Sequence, residues 1–153
     1  MKKGVIAAAL LALAWTLPAA AAGRGCTSAK DAEAQQALLF LTNLMVVSSA
    51  CQQNDTYAEF RLRNQYAIVA YQKEMIEHFR RAGYRRPQSA FDSWNTSLAN
   101  RISLQDGAAP IAQVCQQAAA LFKMASTLDP AGFHKYAMTQ AQSAVLREPQ
   151  CGR

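Results

Sequence analysis

The chain has 153 residues, 51% of them hydrophobic, with 16 Lys and Arg against 10 Asp and Glu. Setting aside Lys2 and Lys3, the remaining 14 basic residues leave a net charge of +4. That is a poor fit to a nucleic-acid binder in a chain with no recognisable binding module. The four cysteines include no CxxC pair and have no histidine at metal-ligand spacing, which argues against zinc, a thioredoxin-like redox centre and covalent haem attachment.

In chain order, Lys2 and Lys3 precede an apolar run from Val5 to Leu17, then Pro18 and the small residues Ala20, Ala21 and Ala22. This pattern reads as a cleavable signal peptide over residues 1–22. The apolar run is about 13 residues, short of the roughly 20 that a bilayer crossing needs. Arg24 places a charge where a lipidation signal at Cys26 wants small or apolar side chains. The expected product is therefore one domain, residues 23–153, located in the periplasm or secreted. A domain of that size buries roughly two-thirds of its unfolded surface.

Punctuation divides this domain into about five helices. The first is expected from Ser28 to Cys51, with Ser28 as N-cap and Asp31 in the first turn. Its apolar residues Leu38, Leu39, Phe40, Leu41, Leu44, Met45, Val46 and Val47 surround the whole helix, which suggests a central, buried position. The second is expected from a capping box at Thr56-x-x-Glu59 to Ala82, with Gly83 beyond its end. At 1.5 Å per residue it would be about 40 Å long. One face carries Tyr57, Phe60, Ala67, Ile68, Tyr71 and Met75, with Asn64 among them as a residue needing a buried hydrogen bond. A second face carries Leu62, Val69 and Ile76 at heptad steps, for further packing or a dimer seam.

Pro87 suits the first position of a third helix, where Phe91, Trp94, Leu98 and Ile102 recur at steps of three and four until Asp106-Gly107. Pro110 opens a fourth, striped by Ile111, Val114, Cys115, Ala118, Leu121, Phe122 and Ala125. Asp129-Pro130 supplies the N-cap and first residue of a fifth, which carries Phe133, Tyr136, Ala137, Ala141, Ala144 and Val145 until Pro149. No strand-like alternation of useful length occurs. Short connections favour antiparallel neighbours. The expected fold is an all-α, single-domain bundle of four or five helices stapled by two disulfides. Of the three pairings open to Cys26, Cys51, Cys115 and Cys151, the one favoured here is Cys51–Cys115 with Cys26–Cys151.

For chemistry, Glu74 and His78 share a helix face, the beginning of an acid–base pair. A pocket between helices near them would suit a small hydrolase or ligand-binding enzyme, although no nucleophile elbow accompanies it. Met45, Met75, Met124 and Met138 could in principle serve a haem opposite a histidine, but methionines on helical stripes are ordinarily core filler. His134, beside Lys135, reads as solvated. No catalytic residue, metal or cofactor is expected. The concentrated signal is basic: Arg80, Arg81, Arg85 and Arg86 surround Tyr84, more cations than the end of one helix requires. Guanidinium groups meet phosphate and carboxylate bidentately. The leading expectation is thus an exported, non-enzymatic helical domain. It would bind an envelope macromolecule, a protein partner or a peripheral anionic surface through this basic corner.

Overall fold

A computed structural model describes residues 27–145; the expected signal segment, Cys26, Cys151 and Pro149 lie outside them. The described residues form six helices: α1 (Ala29–Ala50), α2 (Asn54–Arg63), α3 (Gln65–Arg81), α4 (Pro87–Asp106), α5 (Ile111–Thr127) and α6 (Pro130–Val145).

Helix α1 starts as its sequence requires. Ser28 Oγ accepts from Asp31 N at 3.1 Å, and Asp31 Oδ2 accepts from Ser28 N at 2.9 Å, closing a reciprocal capping box. Apolar residues on every side make α1 the spindle of the bundle. It touches each of the other five helices, α6 most extensively. Ala34, Ala37 and Ala137 are fully buried and Ala141 nearly so, and side chains this small let backbones approach closely. The centre of the core is aromatic. Phe60 meets Phe133 edge-on at 5.0 Å between ring centroids, Phe40 packs on both rings and on Tyr136, and Tyr71 closes the group against Phe133 at 5.6 Å. These tilted and T-shaped contacts join α1, α2, α3 and α6 in the geometry that aromatic quadrupoles favour.

Two expectations need correcting. The long second helix is two elements, divided at Asn64. That residue is fully buried, as the sequence suggested it would have to be, and its Nδ2 donates to Phe60 O (3.0 Å) and Leu128 O (3.2 Å). Its neighbour Arg63 donates to Leu128 O (3.0 Å) and Ala125 O (2.7 Å). The junction therefore supplies donors to carbonyls left unpaired at the end of α5, and Asn64 leaves helical geometry (φ −107°, ψ 14°) to do so. The capping box expected at Thr56 and Glu59 does not form, because α2 begins earlier, at Asn54. The early start follows from the end of α1. Gln52 adopts φ 57°, Gln53 N donates to Ser48 O at 2.8 Å, and the chain reverses within three residues. The second face is divided: Ile76 packs part-buried against the core, while Leu62 and Val69 are exposed, as a groove or dimer seam would leave them.

The other boundaries agree with the sequence reading. Gly83 (φ 85°) ends α3 in a Schellman motif, with Tyr84 N on Phe79 O at 3.1 Å and Gly83 N on Arg80 O at 3.0 Å. Pro87 is the first residue of α4, and Asp129 Oδ1 caps α6 by accepting from Gly132 N at 2.7 Å. Cys51 and Cys115 form a disulfide across 64 residues of sequence (Cα–Cα 5.6 Å), beside a small cluster of Val47, Val114 and Ala118. This is one of the two staples expected; the other lies outside the described residues. Among the described residues, no helix is long and apolar enough to cross a membrane.

Candidate functional site

The four arginines of the basic corner separate into two pairs. Arg80 and Arg81 occupy the last turn of α3, where a cation is favoured by the negative end of the helix dipole. Both are also engaged: Arg80 with Glu77, and Arg81 with the carboxylates of Asp31 and, at 3.0 Å, Glu74. Arg85 and Arg86 sit across the turn, at the entrance of α4. There the dipole is positive, so cations are disfavoured rather than stabilised. Both are exposed, and neither forms an ion pair or side-chain hydrogen bond among the described residues. The first turn of α4 contains no acidic residue, and its N-cap, Arg86, supplies no side-chain acceptor. Fold stability accounts for Arg80 and Arg81 and leaves Arg85 and Arg86 unexplained.

These two arginines border an open groove of about 960 Å³ along α4. Its apolar wall is Phe79, Tyr84 and Trp94; Tyr84 is held edge-on to Phe79 at 5.3 Å by the Schellman turn. Trp94 stacks at 6.0 Å on buried Phe91, which fixes its ring. Along the other side run Ser89, Ser93 and Ser97, spaced by four, so that one exposed hydroxyl projects per helical turn over about 12 Å. The arginines were legible from the sequence. The serine stripe was missed, although its i, i+4, i+8 spacing beside Trp94 was a usable signal.

Glu74 and His78 are brought to one region without pairing with each other. His78 Nδ1 lies 3.2 Å from Asp31 Oδ2, while Glu74 binds Arg81. The organising group is Asp31, whose side chain is only 4% exposed although it serves the α1 capping box, His78 and Arg81 together. Burial would raise its pKa, but hydrogen bonds from Ser28 and His78 and the charge of His78 outweigh this and hold it below the ordinary 3.8. Two residues further along α1, Glu33 Oε1 accepts from Tyr71 OH at 2.8 Å and lies 2.6 Å from His134 Nδ1. Burial and the Glu33 carboxylate push the Tyr71 pKa well above its usual value. His134 is 58% exposed but not merely solvated, since it is tied to Glu33 across 101 residues of sequence, a pairing no local pattern could announce. Two imidazoles each oriented by a carboxylate resemble half of an acid–base device. The same contacts also have a structural role, tying α1 to α3 and α6 beside the aromatic core. Among the described residues, no three His, Cys, Asp or Glu side chains are placed to hold a metal ion.

No protein-family model, curated protein or solved structure matches the chain. The groove along α4 and the ion-pair cluster beneath it therefore stand on their own chemistry.

Proposed function

We propose that this protein is an exported, non-enzymatic helical domain that binds an extended anionic polymer of the cell envelope in the groove along α4. The observation that carries the reading is the pair Arg85 and Arg86, exposed, unpaired among the described residues and held at the helix end where they cost stability. Two guanidinium forks there can each take a phosphate or carboxylate bidentately. The unbonded amides of the first turn of α4 favour the same sign of ligand. Tyr84 and Trp94 offer flat faces, and Ser89, Ser93 and Ser97 offer a hydroxyl ladder. That ladder is longer than one headgroup, which favours a chain-like ligand over a single anion. Export rests on the leader-like residues 1–22 and is supported by a disulfide of the kind that persists in oxidising compartments.

The test is a titration of the protein with polyphosphate and with a polyuronate at two salt concentrations. The wild type should bind at least one of them with affinity that falls as salt rises. Arg85→Ser/Arg86→Ser should weaken it at least tenfold, while Arg80→Ser, which breaks only the Glu77 pair, should change it less than twofold. Equal binding by the wild type and the double variant would remove the assignment.

A further inference from the structure

At the opposite end of α4 lies a second cavity, of about 660 Å³, between the last turns of α1, the end of α4 and the start of α5. Its volume is in the range of small-molecule sites. Met45 and Val46 of α1, Ala99 of α4, and Ile111 and Val114 of α5 make its walls apolar. The Cys51–Cys115 staple ties α1 to α5 at its margin, so two of its walls are held in place covalently.

Among the described residues, one charged side chain lines it. Asp106, the last residue of α4, has Oδ2 shut off from solvent and without a hydrogen-bond partner among the described residues. A carboxylate oxygen in that state is costly, and in native structures such a group ordinarily calls for an explanation. Its setting adds to the anomaly. An acid at a helix C-terminus adds to the negative end of the dipole, and neither α1 nor α4 has a basic residue in its last turn. Among the described residues, no lysine, arginine or histidine lines the cavity. The start of α5, a positive dipole end that borders the cavity, gives Asp106 Oδ2 no hydrogen bond. Oδ2 itself is closed to a water-sized group, so a bound cation would meet the part-exposed remainder of Asp106; an apolar chamber whose one charged residue among those described is a carboxylate is the complement of an organic cation.

We infer that this cavity binds a small amphiphilic ammonium compound, its alkyl or aryl body against Met45, Val46, Ile111 and Val114 and its cationic head on Asp106. The site is independent of the anionic groove, from which it differs in both position and charge.

The experiment uses n-hexylammonium and its neutral isostere 1-hexanol, titrated into the oxidised exported protein and followed by amide chemical shifts. Hexylammonium should move the signals around Met45, Gly107 and Ile111, with 1-hexanol at least tenfold weaker. Asp106→Asn should bring the two ligands to equal affinity. Should that variant fold poorly, Ala99→Leu, which fills the wall without touching the carboxylate, should abolish binding of both. Equal binding of the amine and the alcohol by the wild type would overturn the inference. So would a preference surviving Asp106→Asn, unchanged binding in Ala99→Leu, or shifts confined to another face.

Discussion

Replacing Asp31 by Asn tests whether one buried carboxylate couples the start of α1 to the end of α3. The amide keeps the shape of the side chain and an oxygen that can still accept from Ser28 N, so the capping geometry survives. What it loses is charge. The interaction of an anion with the positive end of α1 is worth about 0.5 kcal/mol. The charge-assisted contacts to Arg81 and His78 are worth about 1–2 kcal/mol together, after discounting for Arg81 being 53% exposed and free to be solvated. The variant should therefore lose about 2 kcal/mol, or about 8 °C of melting temperature in a domain of this size. The loss should also depend on pH with a defined sign. Because the folded-state pKa of Asp31 is depressed below 3.8, its contribution is present above that value and disappears as the pH falls through the folded pKa. Thermal melts followed by circular dichroism should show the full difference at pH 7 and a closing gap below pH 3.8. A variant that melts within 1 °C of the wild type at pH 7, or a difference that stays constant from pH 7 to pH 2, would refute the reasoning.

Three further perturbations have clear signs. Removing the Cys51–Cys115 bridge as a double alanine variant releases a constraint across 64 residues and should cost up to about 4 kcal/mol, read from denaturant midpoints at constant slope. Gln52→Gly should raise stability by about 1 kcal/mol, since φ 57° is strained for glutamine and free for glycine; chemical denaturation would measure it, and a destabilised variant would mean the Gln52 side chain has a role of its own. The raised pKa of Tyr71 means that its folded-state stabilisation is present below pH 10 and is lost as the pH rises beyond it, so part of the alkaline destabilisation should vanish in Tyr71→Phe. Phenolate absorbance at 295 nm, recorded alongside the melts, should show one fewer late-titrating tyrosine in Tyr71→Phe, while Tyr136, whose pKa is also raised by burial, remains.

Most of the fold was written in short-range chemistry. Ser28 with Asp31, Gly83, Pro87 and Asp129 with Pro130 each act within a few residues, and each marked a helix boundary where the structure has one. The failures share a different cause. Thr56 and Glu59 match a capping pattern, but the helix start was decided upstream by the left-handed turn at Gln52. Asn64 was recognisable as a polar residue on an apolar face, yet besides the local Phe60 O it donates to Leu128 O, a distant backbone carbonyl that no side-chain pattern reveals. The candidate site divides in the same way. A cluster of arginines is visible in one dimension, whereas the dipole that separates Arg80 and Arg81 from Arg85 and Arg86 depends on which helix each pair adjoins. Glu33 and His134 are neighbours only after α6 has docked on α1.

The position of α1 has a consequence for how the chain must be handled while it is being made. Of the described helices, α1 is made first and carries the longest set of buried residues, and its largest partner, α6, is made last. Between the end of one and the end of the other lie about 95 residues, or about 5–20 s at ordinary elongation rates. Throughout that interval Leu38, Phe40, Leu41 and Leu44 have no completed surface to bury against. Until α6 emerges these side chains are open to association with other chains, so recovered yield should depend on the rate and temperature of synthesis as well as on the stability of the finished bundle.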